Sequence, residues 1–363
     1  CNPIIVECTA ESKEHEMEKL TERIKELARC LGATAVGIST AETLAGGPPS
    51  VDLSYVLPGA KSAISFLVPL NQSHIEPYIQ KKDHHSHEED NIRTNTLVSG
   101  ISFEIASYLM QKGHPSAGLT ANITYRTDTP NGPFDEKPPV SHRYLAVRSG
   151  IGHFGLSGNV ITRENGAASV LGSLVTTAAL IPTEPLNPED NYCDSCRLCI
   201  ASCASGYMDP EKKTVVRMGD VDFTYSVRRH HSRCDYVCGG FTGLHTSGRW
   251  STWSPARFPI PEKDEEFLPA IIAAADAYKN RPRQEGGFFH FLMPGNRIHF
   301  TCGNCMLVCH PDKKVRKRRY KMLTQSGVVV QRPDGKCEAV SPDEARKYLK
   351  KMPPGQRALY ENV

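Results

Sequence analysis

The sequence predicts an α+β domain followed by a cysteine-rich module. Three observations carry this prediction: helical and strand periodicities alternate up to about residue 185, seven cysteines then fall into two tight runs, and a long Gly- and Pro-rich stretch separates the runs. Of 363 residues, 39% are hydrophobic and 23% charged, which is ample apolar material for a core. A net charge of +3 supports no nucleic-acid or membrane argument from the total. No run of apolar residues is long enough to span a bilayer, so a cytoplasmic protein is expected. The chain opens on Cys1 rather than Met, which leaves open an export signal removed upstream.

The first helix is predicted over 14–31, where Met17, Leu20, Ile24, Leu27 and Leu31 recur at helical spacing and Gly32 stops the run. "TAVGIST" and "KSAISFLVPL" read as buried strands. Residues 71–93 carry four histidines but no apolar period, so a mobile surface loop is expected there rather than a metal site. A helix over 94–112 follows, with Leu97, Ile101, Ile105 and Leu109 on one stripe, then strands over 117–126 and 169–178. Beyond the cysteine runs the pattern predicts a helix at 264–279, a hairpin around Asp334-Gly335 and a last helix at 342–351. There is no internal repeat.

The first run holds Cys193, Cys196, Cys199 and Cys203 in the pattern C-x2-C-x2-C-x3-C. This is the spacing of bacterial ferredoxins, in which three thiolates cap one [4Fe–4S] cluster and the fourth serves another. The second run, Cys302, Cys305 and Cys309, is reciprocal. Cys309 then completes a first set with Cys193, Cys196 and Cys199, while Cys302 and Cys305 join Cys203. The fourth ligand of that second set is Cys234 or Cys238. Zinc is the alternative, since two C-x2-C pairs suffice for it, but zinc leaves the third Cys of each run unused. Disulfides are a further alternative. The runs lack the usual Cys-Pro ending: Ala204 follows Cys203, and His310 precedes Pro311. Cys1, Cys8, Cys30 and Cys337 are scattered and read as inert thiols.

Upstream of the first run, Gly150, Gly152, Gly155 and Gly158 fall within nine residues. Glycine lets backbone approach a flat ligand closely. A G-x-G-x-x-G occurs here but opens no βαβ unit, so it is a poor dinucleotide signal. The stretch "PPVSHRYLAVRSGIGHFGLSGNVITRENGAASVLGSLVT", with "LGATAVGIS" and "LPGAKSAISFLVPL" before it, resembles the corrinoid-dependent iron–sulfur reductases, that is, the epoxyqueuosine reductases and reductive dehalogenases. The resemblance covers about 18–310 and includes a lone Cys between the two runs, best matched by Cys234 after Arg233.

The resemblance implies a nitroreductase-like cobamide-binding domain at 13–185. It implies a ferredoxin-like module with two [4Fe–4S] clusters at 186–312, and a basic tail at 313–363 is left over. His142, Arg143, Gly152, His153, Phe154, Gly155, Ser157 and Asn159 would lie against the cobamide. Glu136 stands where epoxyqueuosine reductases carry an Asp proton donor, three residues before Pro139. Tyr125, backed by Arg126, matches the dehalogenase Tyr with its basic partner. The loop 239–261, with Phe241, His245, Trp250 and Trp253, is expected to wall a substrate pocket.

The function expected is reductive cleavage of a carbon–halogen or similar bond in a small molecule. The first alternative is an epoxyqueuosine reductase-like tRNA-modifying enzyme, although no C-terminal helical-repeat module is evident. The second, from another class, is a corrinoid-free electron-transfer subunit. "KKVRKRR" at 313–319 is either a solvated helix face or a docking patch for reduced ferredoxin or flavodoxin, or for RNA phosphates.

Overall fold

The computed structural model describes residues 10–122, 124–290 and 293–362. Cys1 and Cys8 lie outside the described residues. Helix α1 (Ala10–Cys30) leads into strand β1 (Ala35–Thr40), then β2 (Ser62–Pro69). Helices α2 (Gln72–Ile79) and α3 (His85–Gln111), strand β3 (Ser116–Gly118), helix α4 (His142–Arg148), a small β4–β5 pair (His153–Phe154, Val160–Ile161) and β6 (Ser169–Thr176) complete the first half. The main sheet is antiparallel in the order β1-β2-β6-β3, with Ile38 opposite Ile64 and Ile64 opposite Leu174. Strand side chains alternate between faces. Ile64, Phe66 and Val68 therefore pack with Ile24, Val98 and Ile105 of α1 and α3. Ala63 and Leu67 pack with Leu145 and Ala146 of α4 on the other face. Helices on both faces explain why β2 is buried along nearly its whole length, with Ser62 and Ser65 among its apolar residues.

Two expectations change here. The His-rich segment is not a loop: it forms α2 and the first two turns of α3. Asn71 caps α2 by accepting from the Ser73 amide at 3.0 Å, and Ile75, Tyr78 and Ile79 are buried on its inner face. His87 and Glu88 are buried as well, so polar side chains occupy core positions and hide the helical period. The strand over 117–126 shrinks to β3, because the amides of Leu119 and Ala121 are claimed by the hydroxyls of Ser102 and Ser99 at 2.8 and 3.1 Å. Side-chain acceptors there replace a strand partner.

The second half holds α5 (Leu198–Ala201) and a long ribbon, β7 (Met208–Met218) with β8 (Val221–Arg228). Helices α6 (Ser232–Cys238) and α7 (Phe267–Asn280), the short pair β9–β10 (Phe288–Phe289, Arg297–Ile298) and α8 (Asn304–Leu307) follow. The chain continues through α9 (Lys313–Thr324), the hairpin β11–β12 (Val328–Gln331, Cys337–Val340), α10 (Pro342–Lys350) and α11 (Pro354–Arg357). The last fifty residues are thus a packed helix–hairpin–helix segment: Leu323 and Val329 share the core of Ile24 and Phe66. The loop 239–261 also folds inward. Trp250 and Trp253 enter that same core, the Trp253 Nε1–H donates to the Tyr78 carbonyl at 3.0 Å, and Phe241 packs with Tyr236 and Phe267. These three aromatics are core anchors instead of pocket walls; His245 stacks on Trp250 with ring centroids 4.4 Å apart.

Candidate functional site

Two non-glycine residues inside the first cysteine run, Ser195 and Arg197, have left-handed φ of 54° and 61°. Such backbone is costly and collects at functional sites. Here it coils the loop so that Cys193, Cys196 and Cys199 face one small cavity of about 20 Å³, which Cys309 closes. Burial and the neighbouring sulfurs push Cys199 up to about 12 and Cys309 up to about 11. The second group gathers Cys203, Cys234, Cys302 and Cys305, whose sulfurs act on one another. A fifth thiol, Cys238, hydrogen-bonds to both Cys234 and Cys302. That contact, together with the Asn304 and Gly303 amides, draws Cys302 down to about 7 against its burial. All of these cysteines are free of disulfides.

The chemistry of each donor set fits an iron–sulfur cluster. Each set brings four sulfurs together from separate parts of the chain, and a bound metal would take them as thiolates. A second sign is Lys81. The residue is 7% exposed, its ammonium has no hydrogen-bond partner, and burial lowers it to about 7, with Cys302 the group opposing that shift. An anionic cluster on Cys302 would supply the missing counter-charge.

The glycine bend lies between the two groups. The Leu156 amide donates to Cys193 Sγ at 3.3 Å, and Asn159 Nδ2 reaches Cys305 Sγ at 3.8 Å. The bend does not fit a corrin ring, because protein already fills it. A Cβ on Gly152 would meet the Ile161 carbonyl oxygen at 2.6 Å, and one on Gly158 would meet Tyr225 at 2.6 Å and Arg228 at 2.9 Å. At Gly158 the occupant is the β7–β8 ribbon, and at Gly152 it is β5. Tyr225 packs on Phe154 at 4.7 Å between centroids, its hydroxyl bonds that of Tyr144 at 2.6 Å, and Arg228 donates to Ser157 O and Asn159 Oδ1. The residues expected on the cobamide are likewise engaged with protein. His142 Nε2 contacts the Thr120 carbonyl at 3.0 Å, Arg143 donates to Gly158 O at 2.6 Å, and the Ser157 hydroxyl accepts from the Asn159 amide. Gly155 lies against Ile161, and His153 is half-buried with its Nε2 unpartnered.

A third cluster adjoins the second thiol group. The Arg126 amide bonds the Lys137 carbonyl at 2.8 Å and folds the 126–137 loop back on itself, carrying Glu136 inward at a left-handed φ of 51°. Glu136 is 7% exposed and faces His231 at 3.2 Å, which in turn stands 3.4 Å from Asp235. Burial, with Asp235 beside it, pushes Glu136 up to about 8. Burial opposes a charge on His231, yet Asp235 and Glu136 hold it well above the ordinary histidine range. Tyr125 is near these groups and Cys234, and burial raises it. Arg126 does not join them: Asp128 takes its guanidinium at 2.7 and 2.9 Å, and the ring of Tyr55 lies under it. His231 and Asp235 went unread in the sequence. The visible signal was an i, i+4 His/Asp pair straddling Cys234 in "HHSRCDYVC".

No family model matches the chain. The epoxyqueuosine reductase of Gloeobacter violaceus is 27% identical over 212 residues, which cover 50% of this chain and 58% of that protein. Among solved structures, an epoxyqueuosine reductase with an epoxyqueuosine-modified tRNA-Tyr stem loop aligns at TM-score 0.36 and 19% identity, over 52% of each chain. A catabolic reductive dehalogenase aligns at TM-score 0.46 and 17% identity, over 61% of this chain and 29% of that one. The chain is thus similar in sequence to the epoxyqueuosine reductases over about half of its length, and spans less than two thirds of the relative it matches over 212 residues.

Proposed function

We propose that this chain is an iron–sulfur oxidoreductase of the epoxyqueuosine reductase type, reducing a carbon–oxygen or comparable carbon–heteroatom bond. The observation that carries the reading is the assembly of two four-thiol sets from distant segments, the second set bordering the buried Glu136 and Tyr125 side chains. The sequence relatives bear the name epoxyqueuosine reductase, which moves that reading ahead of the dehalogenase one expected from the sequence. Cys193, Cys196, Cys199 and Cys309 would hold the first [4Fe–4S] cluster, and Cys203, Cys234, Cys302 and Cys305 the second. The clusters supply single electrons when bound. Removing an epoxide oxygen as water, with a carbon–carbon double bond left behind, consumes two electrons and two protons, and Glu136 and Tyr125 are the candidates to supply protons.

Electrons would enter at the first set. Arg316 of α9 pairs with Asp194 in the first cysteine run at 2.7 Å, and the exposed Lys314, Lys317 and Lys321 lie on the same helix. That charge suits an acidic donor such as a reduced ferredoxin or flavodoxin. A tRNA stem loop is a partner of one solved relative and is the proposed substrate carrier here.

A second reading, a corrinoid-free electron-transfer subunit, is favoured by the filled glycine bend. One anaerobic preparation tests both. Iron and acid-labile sulfide near eight per chain (about two clusters' worth) support either reading, and their absence rejects both. Conversion of an epoxyqueuosine-bearing stem loop by dithionite-reduced protein, followed by mass spectrometry, selects the enzyme. Electron transfer without conversion selects the subunit.

A further inference from the structure

We propose that Glu136, His231 and Asp235 form a binding site for one first-row divalent cation, separate from both thiol groups. Glu136 Oε2, His231 Nδ1 and Asp235 Oδ2 converge, with every ligand atom within 4.8 Å of the others. Each of the three is shielded from solvent and lacks a well-directed hydrogen-bond partner. The Glu136 side chain, on a residue only 7% exposed, is therefore an unpartnered acid aimed into the cluster.

The separations discriminate between a proton and a metal. A charge-assisted hydrogen bond draws nitrogen and oxygen to about 2.7–2.9 Å. Ligands held at about 2.0–2.2 Å from one zinc-like ion stand roughly 3.0–3.5 Å from each other. The imidazole lies 3.2 Å from Glu136 and 3.4 Å from Asp235, long for the first and ordinary for the second. Charge agrees. Two carboxyl groups turned inward beside one imidazole can lose their protons to a divalent ion, whose charge then balances theirs. Topology agrees too. His231 and Asp235 are one turn apart along α6, so they present ligands on one face, and the 126–137 loop delivers Glu136 opposite them.

Two carboxylates and an imidazole, without sulfur, select Mn²⁺, Fe²⁺ or Zn²⁺ over soft ions, and the imidazole disfavours Mg²⁺ and Ca²⁺. Three protein ligands leave a coordination position free for an oxygen donor of a substrate, as catalytic sites do. Tyr207 packs edge-on against His231 with centroids 5.7 Å apart and fixes the ring. Cys234 precedes Asp235 directly, so the ion would neighbour the second thiol group. The site goes beyond the reductase reading and does not depend on it; with an ion bound, Glu136 is a ligand and Tyr125 is the group left to hold a proton.

The test uses cluster-loaded protein, cleared of loosely held ions with a chelator. Titration with Mn²⁺, read by the loss of the free-ion EPR signal, should give one tight site per chain that Zn²⁺ empties. Glu136→Gln and Asp235→Asn should each weaken Mn²⁺ binding more than tenfold while sulfide content and the visible cluster absorbance stay unchanged. Mn²⁺ and Zn²⁺ remaining free with the wild-type chain, or binding equally well to both variants, overturns the proposal. Because sulfide is measured in the same samples, loss of the clusters and loss of this site are told apart.

Discussion

The two thiol groups each gather four sulfurs but are built differently and placed in opposite surroundings: three cysteines of one run make most of the first, and three separate segments supply the second. The first sits under a polar shell, with Cys196 exposed, Asp194 paired to Lys313 and Arg316, and a tyrosine hydroxyl 3.5 Å from Cys309. The second is deeper. Around it lie a fifth thiol, an unpartnered lysine and the inward-facing Glu136–His231–Asp235 cluster. The first group therefore lies near a basic helix, and the second lies in the interior beside titratable groups. Surroundings, more than ligands, divide their roles, since net charge, hydrogen bonds and exposure tune iron–sulfur sites.

The largest effect expected is from Cys305→Ser. It should remove about half the iron, one cluster's share, and leave buried polar groups without their metal, so the chain should also unfold at lower denaturant. Cys196→Ser, at an exposed rim, should lose as much iron with a smaller change in stability. Equal destabilisation in the two variants would erase the contrast drawn between the groups.

Acid should act next, through His87 beside Tyr78 in the core. His87 is fully buried, neither ring nitrogen has a hydrogen-bond partner, and burial takes it from 6.5 to about 4. The folded value lies below the unfolded one, so the unfolded chain binds the extra proton between them. Stability should be whole above about pH 6.5 and fall by about 3 kcal/mol as pH drops toward 4. Urea midpoints from pH 7.5 to 4.5 measure this, and His87→Leu should flatten the curve. An equally steep curve in that variant would assign the loss to other groups.

Lys81→Met should lower the reduction potential of the second cluster alone, because removing a cation disfavours adding an electron. A tenfold change in the one-electron equilibrium, about 59 mV, is the scale expected. Potentiometric EPR resolves the two clusters, and a shift in the first instead would misplace Lys81. The smallest effect is expected from Cys238→Ser: iron content unchanged if Cys234 is the ligand. Loss of iron in this variant but not in Cys234→Ser would exchange the two assignments.

Much of the sheet was legible because its signals are local. Ile64, Phe66 and Val68 alternate with Ala63 and Leu67 in an apolar run that has few folds other than a covered strand. The α2–α3 segment was illegible for the opposite reason. Its buried faces carry His87, Glu88 and Asn91, and the partners of Glu88 come from far along the chain: it accepts from the Phe300 amide at 2.9 Å and the Gly287 amide at 3.1 Å. The β7–β8 ribbon was missed because its alternation is diluted by charge: Glu211, Lys212 and Lys213 are exposed in sequence, and a register shift falls between Met208 and Lys213.

By itself, the sequence determined that seven cysteines stand at metal-holding intervals and that an α+β domain precedes them, since both depend on spacing within a few residues. Tertiary structure decided what surrounds them. It brought Cys309 to the first run across more than a hundred residues, set His231 against Glu136, and laid Tyr225 and Arg228 into the glycine bend where a flat ligand was expected. Those outcomes rest on contacts between distant segments, which follow from how cores and side chains pack in three dimensions and leave no periodic trace along the chain.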